Sequence, residues 1–169
     1  IFYITKLYWV NAQHLANLSI DDFKSHLKPF LKKIDIEMED HSNLDLMINA
    51  MRSSENTLSG IAESLIPYFK DISSYDKNAI NKFLSDGSDI LANIKDVLLK
   101  IDDWNENNID TVLKTFQTNN DLPVPKVNQP IRIALTGSTK SPSLGLTLSI
   151  FGKDQSITRI QNLIDTFES

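Results

Sequence analysis

The sequence predicts an all-α protein built from two small helical domains in tandem. Apolar residues recur at i, i+3 and i+4 along most of the 169 residues, which is typical of amphipathic helices. The hydrophobic content of 41% is sufficient for a folded core. A polar, turn-like segment at 70–76 interrupts the apolar pattern. We therefore predict an N-terminal domain over 1–75 and a C-terminal domain over 76–169.

The N-terminal domain shows one capped helix followed by two shorter apolar stripes. Ser19 with Asp22 three residues later forms a variant of the capping box at the start of the helix 19–34. The stripes at 44–51 and 58–65 are separated by a serine pair, so we expect a break there. Three aromatic residues near the start of the chain are expected in the core: Tyr3, Tyr8 and Trp9.

The C-terminal domain begins with three helical patterns and a long connection. The patterns cover 77–87, which ends at Gly87 as a helix stop, then 88–101 and 102–117. The Pro-rich stretch 118–130 is predicted to be a loop of about a dozen residues, longer than most connections. Pro130 is expected at the first turn of the next helix, where its missing N–H costs nothing, and Gly137 is expected to end that helix.

The apolar stretch 144–151 alternates enough to suggest a strand, but no partner strand is evident elsewhere. A short buried helix is therefore favoured, with its start near Ser141 and Pro142. The last amphipathic pattern runs to the end of the chain, and we expect Asp154 to cap it.

The charged residues are distributed unevenly along the sequence. Their distribution and the overall composition restrict the classes of function that this chain can have. The net charge is −5, yet residues 1–110 carry −7 and residues 111–169 carry +2, so the C-terminal third is locally basic. The chain has no cysteine, which excludes disulfides and thiolate chemistry, and its three histidines are far apart, so we expect no metal site. Known nucleotide-binding and hydrolase motifs are absent from the sequence.

The segment "QPIRIALTGSTKSPSLGLTLSIFGK", residues 129–153, contains no acidic residue. Helix beginnings near Pro130 and Ser141 would expose N–H groups that can bind an anion or a base edge. Gly137 and the polar residues after it would let the backbone approach a ligand, and Arg132 offers a planar set of donors. Single-stranded RNA is recognised by such groups. A plain helix–turn–helix core with a surface arginine fits the same residues equally well.

Three segments together resemble the anticodon-binding end of bacterial-type glutamyl-tRNA synthetases, which are class I aminoacyl-tRNA synthetases. They are "QPIRIALTGSTKSPSL…IFGK", "FYITKLYWVNAQHLANLSIDDFKSHLKPFL" and "NAMRSSENTLSGIAESLIPYF". The resemblance implies a helical-bundle or cage architecture that binds the anticodon loop. The chain starts with Ile1 and lacks the family's catalytic domain, so we expect an inactive fragment without a cofactor. The intact enzyme would attach glutamate to tRNA(Glu) using ATP and magnesium.

The same resemblance implies which residues contact the anticodon. In the C-terminal domain they are Arg132, Lys114, Thr136, Gly137, Ser138, Ser141, Pro142 and Leu144. In the N-terminal domain they are Arg52, which we expect to be exposed, and Ser54. The family members that accept only tRNA(Glu) tend to carry arginine at the position of Ser54, so the resemblance implies weaker discrimination against tRNA(Gln) here.

Other interpretations stay open on the sequence alone. A non-catalytic helical module that binds a protein would show no salt-dependent binding of tRNA. A duplicated synthetase with altered tRNA choice would differ in its preference between tRNA(Glu) and tRNA(Gln). For the anticodon-binding interpretation we expect a cytoplasmic monomer with no membrane contact.

Overall fold

The computed structural model describes residues 2–38, 43–52, 55–85 and 88–168. This part of the chain forms ten α-helices and contains no strand, which confirms the all-α prediction. The helices form two compact units, Ile1–Lys70 and Asp71–Ser169.

The first unit contains four helices: α1 (Phe2–Asn17), α2 (Ile20–Lys32), α3 (Leu44–Arg52) and α4 (Leu58–Phe69). Helix α4 packs against both α2 and α3. The predicted cap of α2 is confirmed, because the Ser19 hydroxyl oxygen accepts the Asp22 N–H at 3.1 Å. The core of this unit consists of apolar side chains from the predicted stripes: Phe23, Leu27, Leu31, Met47, Ile48, Met51, Ile61 and Leu65.

Helix α1 corrects the prediction that its aromatic residues lie in the core. Tyr3 is 86% exposed and Trp9 is 63% exposed, and Tyr8 is also exposed. Six of the eight residues from 3 to 10 are apolar or aromatic, and they are spread around the helix rather than gathered in one stripe that could pack against the unit. Among residues 3–17 of the helix, whose burial is described, only Leu15 near its end is buried.

Arg52 is half-buried, which corrects the prediction of an exposed side chain. Its Nη2 donates to the carbonyl oxygens of Leu15, Ala16 and Leu18 at 2.7, 3.0 and 2.6 Å. The guanidinium also lies 4.7 Å from the centre of the Phe23 ring. Arg52 therefore stabilises the C-terminal end of α1, where backbone carbonyls lack helical partners.

The second unit contains six helices: α5 (Lys77–Phe83), α6 (Asp89–Leu99), α7 (Glu106–Asn119), α8 (Val124–Thr136), α9 (Leu144–Phe151) and α10 (Lys153–Glu168). Helix α8 is central and packs against the other five. The favoured short buried helix at 144–151 is confirmed as α9. Helix α10 begins at Lys153, so Asp154 lies in its first turn and does not cap it.

The polar segment before α5 belongs to the second unit. The Asp76 N–H donates to the Gly137 carbonyl oxygen at 2.8 Å, and the Asp76 carboxylate caps α5. Ile72 and Ser74 lie against Gly137. Because these contacts fix the segment to the end of α8, the units divide after Lys70, five residues before the boundary we placed at 75.

Helix α8 starts at Val124, which corrects the predicted loop 118–130 and the predicted start at Pro130. Pro125 occupies the first turn, where no N–H is needed, so a proline does start this helix, but the start lies six residues before the predicted one. Pro130 lies inside α8 and is buried with Val127 and Ile131. The burial of this face offsets the one backbone hydrogen bond that Pro130 cannot make.

Two predictions fall on residues that the structure does not describe. They are the helix stop at Gly87 and the break at 53–54, which includes Ser54. Among the described residues, no helix is long and apolar enough to cross a membrane. The same residues contain no group of His, Cys, Asp or Glu that could hold a metal ion.

Candidate nucleic-acid interface

A surface cavity of about 420 Å³ lies where α7, α8 and the start of α9 meet. Helical periodicity explains its lining. On α7 the residues from Asp110 to Gln117 that face the cavity are spaced at i, i+3, i+4 and i+7, and on α8 the lining residues are spaced four apart. The full set is Asp110, Leu113, Lys114, Gln117, Val124, Asn128, Arg132, Ser143 and Leu144.

Arg132 lines this cavity and also holds the loop between α8 and α9. Its Nη1 donates to the carbonyl oxygens of Ser141 at 2.8 Å and Pro142 at 2.6 Å, and it contacts the Ser141 hydroxyl. The guanidinium is half-buried against carbonyls and a hydroxyl. Ser141 therefore contacts Arg132 through both its carbonyl oxygen and its hydroxyl, and Pro142 contacts it through its carbonyl oxygen.

The residues at the C-terminal end of α8, and those just after it, make hydrogen bonds within the same loop. The Thr136 hydroxyl lies 2.9 Å from the Arg132 carbonyl oxygen, and the Ser138 hydroxyl accepts the Lys140 N–H at 3.2 Å. Gly137 ends α8 in the predicted left-handed conformation, with φ of 77°. It is buried against Ile72 and Ser74, which corrects the expectation that it brings the backbone close to a ligand.

The start of α9 is occupied by acidic side chains of α7, which corrects the prediction of paired helix beginnings that bind an anion. The Gly145 N–H donates to the Asp110 carboxylate. The Ser143 hydroxyl donates to Glu106 Oε1 at 2.9 Å. A β-carbon at residue 145 would overlap the Asp110 carboxylate, so glycine is needed for this contact. An anionic ligand would have to displace these carboxylates.

Asp110 is the carboxyl group in the lining of the cavity, and its pKa is perturbed. Burial raises the pKa of Asp110 above its ordinary value, and the nearby Glu106 carboxylate raises it further. The hydrogen bond from Gly145 lowers the pKa and opposes both effects. The Asp110 carboxylate therefore gains from any additional donor that comes close to it.

The six basic residues of the C-terminal third separate into two groups. Arg159 is buried, donates to the Leu135 carbonyl oxygen at 2.6 Å and lies 4.5 Å from the centre of the Phe151 ring. Lys153 donates to the Ile101 carbonyl oxygen at 2.7 Å. These two cations stabilise the fold. The basic side chains at or near the surface are Lys114, Lys126, Arg132 and Lys140.

The structure therefore brings together part of the predicted site. Lys114, Arg132 and Leu144 share the cavity, with Ser141 and Pro142 against Arg132. Arg52 belongs to the first unit and Ser54 lies outside the described residues. Sequence reasoning missed Asp110, Gln117 and Asn128. Their spacing of three or four residues from Lys114 and Arg132 was the signal that could have found them.

Comparison with known proteins identifies the class of this chain. Residues 22–164 match the family described as anticodon binding domain. The chain belongs to this family.

The relatives within this family are glutamate–tRNA ligases. The chain is 34% identical over 157 residues to the glutamate–tRNA ligase of Myxococcus xanthus, covering 92% of this chain and 33% of that protein. It is 30% identical to glutamate–tRNA ligase 2 of Thermosipho melanesiensis, covering 99% of this chain and 37% of the relative. The chain thus corresponds to the anticodon-binding region of glutamate–tRNA ligases and spans about a third of the length of these curated relatives.

A solved structure shows the same fold. The glutamate tRNA ligase of Elizabethkingia meningosepticum, in complex with its amino acid, aligns with a TM-score of 0.81 and 22% identity, covering 96% of this chain and 32% of that one. The helical anticodon-binding architecture expected from the sequence is confirmed. The family match also favours the anticodon-binding interpretation over a helical protein-interaction module.

Proposed function

We propose that this chain binds the anticodon loop of tRNA(Glu) and serves a glutamate–tRNA ligase that attaches glutamate with ATP and magnesium. The observation that carries the proposal is the cavity that Lys114, Arg132 and Leu144 share in a chain of the anticodon-binding family. Cations there would meet phosphates, and apolar and polar side chains would meet splayed bases.

A binding titration of the 169-residue chain with tRNA(Glu) tests the proposal. Arg132→Ala is expected to weaken binding by about 1–3 kcal/mol, because it removes a donor group from the cavity and loosens the Ser141–Pro142 loop. Lys114→Ala is expected to weaken it less, because Lys114 is exposed and contributes charge alone.

Lys100→Ala is the matched control, since Lys100 is exposed and lies outside the cavity lining. Thermal unfolding of each variant shows whether the fold is retained. Equal affinities of wild type, Arg132→Ala and Lys114→Ala for tRNA(Glu) would remove this cavity from the proposed interface.

The choice between tRNA(Glu) and tRNA(Gln) belongs to the first unit in this proposal. Arg52 is committed to the end of α1, and serine stands at position 54. We expect weak discrimination, seen as similar affinities of the chain for the two tRNAs. Ser54→Arg is expected to favour tRNA(Glu), and an unchanged ratio of affinities in this variant would contradict the role of position 54.

The chemistry of the ligase lies outside the residues of this chain in this proposal. ATP, magnesium and glutamate would bind the part of the enzyme that the relatives have in addition. We expect no aminoacylation by the 169-residue chain alone, and a cytoplasmic monomer, because the proposed partner is a tRNA used in translation.

A further inference from the structure

We propose that Thr147, a buried residue of α9, is a positioning residue whose hydroxyl acts through Ser141 to fix the direction of the Arg132 guanidinium. Thr147 is not among the residues that line the cavity, so it acts on a ligand only through these neighbours. Its effect on the ligand-free chain is independent of any partner. Its effect on the binding of tRNA(Glu) rests on the proposed function.

Thr147 fastens the end of the loop between α8 and α9 to the first turn of α9. Its side chain is fully buried, and its hydroxyl donates to the Ser143 carbonyl oxygen at 2.9 Å. The same carbonyl oxygen accepts the Thr147 N–H at 2.9 Å. The Thr147 hydroxyl also lies 3.3 Å from the Ser141 hydroxyl oxygen. One buried side chain therefore contacts two residues of the loop.

Ser141 links Thr147 to Arg132. The Ser141 hydroxyl oxygen contacts Nη1 of Arg132 on one side and Oγ1 of Thr147 on the other. The carbonyl oxygens of Ser141 and Pro142 accept from the same Nη1 at 2.8 and 2.6 Å. Because these three acceptors belong to two consecutive residues of the loop, the direction of the guanidinium follows the position of the loop.

The Thr147 hydroxyl is not required for the stability of α9. A threonine hydroxyl that donates to the carbonyl four residues earlier does not stabilise a helix. If the hydroxyl is removed, the Ser143 carbonyl keeps the Thr147 N–H as a donor, and the Ser141 hydroxyl keeps its contact with Arg132. Thr147→Val therefore leaves no buried polar group unsatisfied, and it should change the free energy of unfolding little. The role left for the hydroxyl is to hold the loop.

NMR of the arginine side chains tests this role in the ligand-free 169-residue chain. Rotation of the Arg132 guanidinium about its Nε–Cζ bond should be roughly twofold faster or more in Thr147→Val, because the acceptors of Nη1 are held less firmly. Ser141→Ala removes the middle of the link and should have the same effect. Arg52 and Arg159 donate to carbonyls elsewhere and are internal references. Unchanged rotation of Arg132 in both variants would overturn the inference.

Titration with tRNA(Glu) tests the consequence for binding. Thr147→Val should bind roughly two- to tenfold more weakly than wild type, the range expected for the loss of one hydrogen bond. Thr147→Ser keeps the hydroxyl and should retain the affinity of wild type. In the background of Arg132→Ala, Thr147→Val should have no further effect, because no guanidinium is left to position.

Thr115→Val is the matched control for these titrations. The Thr115 hydroxyl donates to the carbonyl oxygen four residues earlier, that of Thr111, at 2.8 Å, and it lies outside the lining of the cavity. This variant should bind tRNA(Glu) as wild type does, and urea unfolding verifies the fold of each variant.

The titrations separate this inference from the proposed function. Wild-type affinity in Thr147→Val, or equal weakening by it with and without Arg132, would overturn the inference and leave the proposed function standing. Failure of wild type to bind tRNA(Glu) would overturn the proposed function and, with it, the role of Thr147 in binding RNA.

Discussion

At the scale of single residues, the three arginines of this chain and two of its lysines, Lys70 and Lys153, donate to main-chain carbonyl oxygens. Arg52 holds the end of α1 and Arg159 the end of α8. Lys153 and Arg132 bind carbonyls that follow helix ends or lie in a loop. Carbonyls at helix C-termini have no intrahelical donors and carry partial negative charge, so cations stabilise them. A formal charge count therefore overstates the positive charge available to a ligand.

Asp110 gives a prediction on pH. The pKa of Asp110 is raised in the folded protein, so folding favours the protonated carboxyl. The stability that comes from this protonation is fully present below the ordinary pKa of aspartic acid, and it is lost as the pH rises through the pKa of the folded state. Asp110→Asn keeps an acceptor for Gly145 and carries no charge. Between about pH 4 and pH 7 the variant should therefore gain stability relative to wild type.

Urea unfolding at several pH values measures this difference, with Asp96→Asn as the control for charge. If the free energies of unfolding of wild type and Asp110→Asn changed with pH in parallel, ionisation of the Asp110 carboxyl would not destabilise the fold.

Gly137 gives a prediction on backbone strain. Its φ is 77°, and a β-carbon there would lie 3.0 Å from the Ser74 carbonyl oxygen and 3.2 Å from a methyl carbon of Ile72. Gly137→Ala should therefore lower the free energy of unfolding by about 1–3 kcal/mol. Chemical denaturation measures the loss, and a variant as stable as wild type would mean that the segment 71–76 does not rest on the end of α8.

At the scale of elements, helices α1 and α8 show how a helix can depart from its sequence pattern. Helix α8 contains Pro130, which the sequence pattern predicted as a helix start. The helix continues through this residue because burial of Val127, Pro130 and Ile131 outweighs the one hydrogen bond that is lost. Helix α1 has six apolar or aromatic residues spread around its axis between residues 3 and 10, and all six remain exposed. The contacts of α1 with the rest of the unit are concentrated at its C-terminal end. Leu15 is buried there, and Arg52 of α3 donates to the carbonyl oxygens.

Arg52→Ala tests that tie. The substitution removes three hydrogen bonds to the end of α1 and the contact with the Phe23 ring, so α1 should open more readily. We expect a loss of about 1.5–3 kcal/mol, the usual contribution of hydrogen bonds to a charged group. Amide hydrogen exchange should speed up in α1 and stay nearly constant in α6 and α7.

Lys6→Ala is the control for this experiment, because Lys6 lies on the exposed surface of α1. Unchanged exchange of the α1 amides in Arg52→Ala would show that the guanidinium does not hold the helix.

At the scale of the whole molecule, binding of RNA must overcome a net charge of −5. Within residues 111–169, four cations are at or near the surface: Lys114, Lys126, Arg132 and Lys140. Single-stranded RNA releases counterions in proportion to the phosphates neutralised, with a slope of about −0.7 for each. If each of these four cations neutralises one phosphate, they contribute about −3 to the slope of log affinity against log salt.

Titrations of tRNA(Glu) at increasing potassium chloride measure this slope. An affinity that does not change with salt would contradict contact between the second unit and the RNA backbone, and would favour a partner that is not a nucleic acid.

The sequence by itself determined the fold class, the N-terminal cap of α2, the left-handed end of α8, the helix at 144–151 and the resemblance to the anticodon-binding family. These features depend on local periodicity, on capping chemistry or on the residues of a motif, all of which lie close together in the chain. Lys114, Arg132 and Leu144 came from the motif and do share one cavity.

Only the tertiary structure decided the neighbours of those residues. The start of α9 is covered by carboxylates from α7, which are more than thirty residues away in sequence. Gly137 packs against the segment 71–76. The apolar side chains of α1 between residues 3 and 10 remain exposed and do not pack into the core of their unit. Such contacts depend on which helix faces pack together, and a single sequence specifies each face without specifying its partner.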